Sequence, residues 1–251
     1  MSWDDAGAFV WHPDAIDPAL LGSELRANGF GWAAVFVQDG TAAASVDPAW
    51  IARFRQASGL PLGGWGVLRA DAPGAARVAA AQIRRDGLNF YVADAEAEYG
   101  YTGVGGRSGA RFLRSRAFVD EFRRLQPSLP AAIASYCRPD QHDLDWKAWS
   151  DAGFDFLPEA YVNELGAAAD PASCVAGAGA WFPAARVHPI VGMYQGSRGL
   201  GSAAAYAGLL QAAGTKGFSV YLAEQGMTGA KWAAFGEAIT RLGIAARPGH
   251  V

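Results

Sequence analysis

The chain has 251 residues, of which 51% are hydrophobic and 18% charged, and its formal net charge is -3. That length suits one large core, and single barrels often reach it. The weakly acidic balance leaves no basic stripe for nucleic acid, and the apolar runs are too short and interrupted to span a membrane.

One unit recurs along the chain: a short apolar strand, a turn, an Ala-rich helix, a glycine, and the next strand. The first strand is expected over 8–12. Asp17-Pro18 then opens a helix, with Asp as cap and Pro at the first helical position. Strand two covers 32–37, and Asp47-Pro48 opens the second helix. Strand three, 62–68, is rich in glycine. A helix over 73–86 leads into strand four, which begins at Leu88 and runs into a row of acids. A Gly-rich loop over 100–107 follows, and Ser108 is expected to cap a helix reaching Leu125. Strands five to eight are expected over 131–137, 154–161, 188–194 and 218–222. Their helices contain Trp146 and Trp149, open at Asp170-Pro171, span 203–213, and span 229–242. Gly29, Gly59, Gly87, Gly153 and Gly214 all fall between a helix and a strand, where a left-handed residue ends the helix. Eight such units predict parallel βαβ connections and a single (β/α)8 barrel domain over residues 1–251. An open doubly wound sheet is the alternative, weakened by the lack of a G-x-G-x-x-G after strand one.

A barrel carries its site at the C-terminal ends of the strands. Strand four brings Phe90, Val92, Asp94, Glu96 and Glu98 to one face, an apolar base running into three carboxylates. Acids crowded together repel, and one of them should keep its proton to higher pH, as a general acid must. Asp94 and Glu96, two residues apart on a strand, have Cα atoms about 6.6 Å apart. Glu159 on strand six is the candidate second carboxylate. Trp11, Trp65, Tyr136, Tyr161 and Tyr194 bring flat faces to the same rim, and strand eight adds Tyr221 and Glu224. Carboxylates with aromatic faces suit a carbohydrate, because glycosidic cleavage uses two acids. No Cys/His group has zinc spacing, His12, His142, His188 and His250 are scattered, and no metal or cofactor is expected. A site in which Asp94, Glu96 and Glu159 ligate a metal is a minor alternative. Cys137 and Cys174 are either free thiols or one disulfide.

The D-x-E segment Asp94-Ala95-Glu96 at the end of strand four resembles the family 25 glycoside hydrolases, the lysozyme-like muramidases. It is similar also to the related barrels of actinobacteria and their phages. Gly64-Trp65-Gly66-Val67 and Ser135-Tyr136 are loosely similar to family segments. The resemblance implies that Glu96 is a general acid, Asp94 a supporting carboxylate and peptidoglycan the substrate. The family's strand-one acid is missing, since Val10-Trp11-His12-Pro13 stands there, and Glu224 is the nearest counterpart of its strand-eight acid. A barrel without catalysis, binding sugar or building an assembly such as a phage tail, is therefore the second expectation. Met1-Ser2-Trp3-Asp4-Asp5 is acidic and leads into no apolar stretch, so no secretion signal is expected. The chain is read as cytoplasmic when made, and as part of a virion in the phage reading.

Overall fold

Strands covered on both faces read as continuous apolar runs, and these strands do. The computed structural model describes residues 1–96, 109–139, 144–224 and 226–244. Eight parallel strands form the barrel: β1 (Ala6–Val10), β2 (Trp32–Asp39), β3 (Leu62–Val67), β4 (Tyr91–Asp94), β5 (Ala131–Tyr136), β6 (Phe154–Glu159), β7 (Ile190–Gly192) and β8 (Phe218–Tyr221), and the short segment Ala42–Ala43 adds an antiparallel pairing to the end of β2. Each pairs with the next, and β1 also pairs with β8, so the sheet closes into a (β/α)8 barrel. The outer ring is α1 (Pro18–Ala27), α2 (Pro48–Ser58), α3 (Ala72–Asp86), α4 (Gly109–Leu125), α5 (Trp146–Asp151), α6 (Pro171–Ala178), α7 (Ala203–Ala213) and α8 (Gly229–Leu242). No helix among the described residues is long and apolar enough to cross a membrane.

Local chemistry explains the helix limits. Asp17, Asp47 and Asp170 each accept first-turn N–H groups, with Pro following. Gly59 and Gly87 end α2 and α3 at φ 64° and 60°, left-handed values that a side chain would oppose.

Two apolar layers hold the barrel. Outside the sheet, residues such as Leu25, Phe54, Ile83, Phe122, Trp149 and Phe235 join strands to helices. Inside, Trp3, Phe9, Trp32, Trp65 and Phe90 interlock edge to face, at centroid distances from 5.2 to 6.0 Å. Such rings fit only because their neighbours are small. A Cβ on Gly7 would fall on the Trp32 ring, and one on Gly63 on the Phe90 ring. Gly7→Ala is therefore expected to overpack the interior and cost about 1–3 kcal/mol. The check is a lower urea midpoint at unchanged slope; an unchanged midpoint would refute this packing.

Several limits differ from the sequence reading. β1 starts at Ala6, which pairs with Phe218, and stops at Val10, leaving Trp11 and His12 beyond the strand. β4 ends at Asp94, which pairs with Val67, the last residue of β3, so Glu96 lies two residues beyond the strand and not on it. β7 has only three residues; Pro189 before it has no N–H for the ladder, its pairing with β6 is Glu159–Ile190, and an isolated Phe156–Val187 bridge lies ahead of the strand. A helical turn at Val162–Leu165 and a hairpin pairing Gln195–Gly196 with Gly199–Leu200 were not foreseen. The expected cap Ser108 and the loop 100–107 lie outside the described residues.

Cys137 and Cys174 form a disulfide with Cα atoms 4.8 Å apart, joining the end of β5 to α6. Ala160 and Ala169 pack against it, so the bond sits behind the end of β6.

Candidate active site

The strand ends surround a cavity of about 250 Å³. Asp94, Glu96 and Glu159 line it, as do Trp11, Trp65, Tyr161 and Tyr194. Tyr136, the last residue of β5, is not among the lining residues, and Glu98 lies outside the described residues.

Register brings the acids together. Asp94 closes β4 and Glu159 closes β6, and between them β5 presents Ala134, opposite both Asp94 and Leu157. A methyl group on the intervening strand leaves the space above it to the two acids. Glu96, two residues beyond Asp94, keeps the same inward sense although the ladder has ended. One carboxylate oxygen from each of Asp94, Glu96 and Glu159 lies within 4.8 Å of the others. Glu159 is buried, and Asp94 and Glu96 are half-buried. These three oxygens could also surround a cation, and they form the group of described residues with that spacing.

Aromatic walls complete the cavity. The Trp65 indole N–H is spent on the Val10 carbonyl at 3.0 Å, which fixes the ring and leaves its apolar face to the cavity. Trp11 lies at the mouth with 40% of its surface exposed, stacked on His12 and 6.5 Å from the Tyr221 ring. Tyr161 and Tyr221 stack at 6.0 Å, and Tyr194 meets both edge on. Burial first, then nearby Glu159, pushes the Tyr161 and Tyr194 hydroxyls well above their usual range. Burial and then Asp94 do the same to Tyr221. All three therefore stay protonated at neutral pH and can donate to a sugar oxygen or an acid.

Val92 and Ala134 form part of the lining with Phe9, Ile190 and Leu222, and the last three were not foreseen as site residues. Alternation within β1 carries a signal for Phe9, because Phe9 shares a face with Gly7, whose missing side chain marks the interior. Tyr221 is foreseen at the rim but not as a wall of the cavity. Glu224 lies outside the lining; its carboxylate accepts the Trp11 and His12 N–H groups at 2.8 and 2.6 Å.

No family model matches the chain, and no curated protein does. Solved structures do. The C-terminal domain of a protein described as a chitinase from Desulfitobacterium hafniense DCB-2 superposes with a TM-score of 0.66 at 9% identity, covering 95% of this chain and 99% of that one. A protein described as chitinase A from Streptomyces coelicolor gives 0.64 at 12% identity, with the same coverage of both chains. The catalytic domain of a mannanase from Streptomyces sp. SirexAA-E gives 0.53 at 16% identity, covering 86% of this chain and 74% of that one. These neighbours are glycoside-hydrolase barrels, and at such identities the likeness shows the fold alone.

Proposed function

We propose that the protein is a glycoside hydrolase acting on a polysaccharide, with cell-wall peptidoglycan as the first candidate. The observation that carries this reading is the meeting of Asp94, Glu96 and Glu159, within 4.8 Å of one another, in a cavity walled by Trp11, Trp65, Tyr161 and Tyr194. Two acids are what glycosidic cleavage needs. Chitinase and mannanase, the names borne by the solved neighbours, support a polysaccharide substrate, and the D-x-E segment supports the narrower likeness to family 25.

In this reading Glu96 gives its proton to the glycosidic oxygen as that bond breaks. Asp94 stabilises the positive charge growing on the sugar ring. Glu159 attacks or shields the anomeric carbon, and water then releases the sugar with its proton returning to Glu96. The disulfide fits a protein working outside the reducing cytosol, where a cell-wall substrate is met.

The direct test is to incubate the protein with chitooligosaccharides, mannooligosaccharides and peptidoglycan and to weigh the products. Fragments whose mass includes one added water support hydrolysis. A folded protein that binds these sugars and releases nothing would instead favour the sugar-binding component of an assembly. That second reading has its own observation, since Trp11 and not an acid follows β1. In either case Trp11→Ala should weaken chitotriose binding roughly tenfold by calorimetry, from the loss of one stacking face. Trp11 is largely at the surface, so the variant should stay within about 1 kcal/mol of wild-type stability. Unchanged affinity would remove Trp11 from the binding surface.

A further inference from the structure

The β1 ladder ends at Val10, paired with Val35, so the next two amides have no acceptor in the sheet. Both are taken by one oxygen of Glu224, which lies three residues beyond β8 and more than 200 residues away in sequence. The neighbouring Ala223 N–H donates to the Phe9 carbonyl at 2.9 Å, drawing the two strand exits together. The other Glu224 oxygen is buried and has no hydrogen-bond partner among the described residues. A partly buried carboxylate is costly, and burial pushes its pKa up against the pull of the two amides. The sequence keeps that cost at a position outside the cavity lining, which points to a structural duty toward something that does line it.

We propose that Glu224 is a positioning residue, whose carboxylate clamps the turn after β1 so that the Trp11 ring stands over the cavity mouth. Its first oxygen already accepts two N–H groups, and Glu224 is not among the residues that line the cavity, which sets it apart from the three clustered acids. Charge-assisted bonds to both amides hold the backbone of Trp11 and His12, and the stacked pair of rings is held with it. The role of Trp11 as a sugar platform rests on the reading of the cavity given above, whereas the clamp itself is a property of the unliganded protein.

Two readouts separate these. Glu224→Leu keeps the volume and removes the acceptor, Glu224→Ala removes both, and Glu224→Gln retains an oxygen. Amide hydrogen exchange at Trp11 and His12, followed by NMR without ligand, should speed up about tenfold or more in the Leu and Ala variants, as expected for lost charge-assisted bonds. The Gln variant should stay within roughly threefold of wild type. Chitotriose affinity should fall about tenfold in Glu224→Leu. Added to Trp11→Ala, the same change should cost nothing further, because Glu224 acts through Trp11. Exchange at both amides unchanged in Glu224→Leu would overturn the clamp. So would an affinity loss that persists in full on the Trp11→Ala background. If wild-type protein binds no chitotriose, the sugar reading falls and amide exchange still decides the clamp.

Discussion

Glu96→Gln is expected to reduce glycosidic cleavage on the order of a thousandfold, because general acid catalysis contributes about 10²- to 10⁴-fold and the amide cannot give up a proton. The change is nearly isosteric. Glu96 is half-buried two residues beyond β4, outside both apolar layers, so the fold should survive it. Thermal melts should agree within about 2 °C. A leaving group that departs as a stable anion needs little protonation. A nitrophenyl glycoside should therefore recover the bond-breaking step in the variant, read as a rapid burst of nitrophenol before a slow steady state, because Glu96 also takes the proton of the water in the second step; a natural oligosaccharide should show no such burst. Asp94→Asn and Glu159→Gln should not show that recovery, because their tasks concern the sugar ring rather than the departing oxygen. Full activity in Glu96→Gln would exclude Glu96 as the donor. Recovery of Glu159→Gln by the nitrophenyl substrate would move that role to Glu159, which lies in the same 4.8 Å cluster.

Replacing both Cys137 and Cys174 with Ala is expected to cost about 4 kcal/mol, the chain-entropy value for a bridge spanning 37 residues. In a domain of this size that corresponds to a fall in Tm of about 10 °C. The effect should also be felt at the site. The bridge ties the residue after Tyr136 to α6 and packs on Ala160, the residue between Glu159 and Tyr161, both of which line the cavity. Loosening it should disturb the second carboxylate and a tyrosine wall together. Wild-type protein should lose stability when a reductant is added, and the double Ala variant should be indifferent to it. Identical melts with and without reductant, with free thiols measured in the reduced sample, would show that the bridge carries no stability.

The barrel was legible because its signals are local. Asp-Pro pairs cap helices through their own first-turn amides, and left-handed glycines end them, as at Gly59 and Gly87. Apolar runs covered on both faces announce parallel strands wherever they lie. The placement of Asp94 was legible for the same reason: alternation from Phe90 through Val92 puts it on the inner face. Glu96 was assigned to the right side but to the wrong element, since the β4 ladder ends at Asp94, opposite Val67.

Other features depend on residues that meet only when the ring closes. Glu159 approaches Asp94 across Ala134, a relation set by the registers of three strands. Whether Cys137 and Cys174 were thiols or a bridge depended on α6 folding back over the end of β5. Glu224, read from the sequence as a rim acid, is a backbone acceptor because closure of β8 onto β1 brings it to two amides that the sheet leaves unpaired. Sequence by itself determined the repeating unit, the strand faces and the acid row, because these follow from capping, periodicity and the chirality of single residues. Only the tertiary structure decided which acids share a cavity, which aromatics wall it and which carboxylate serves the backbone, because those contacts are fixed by strand register and barrel closure.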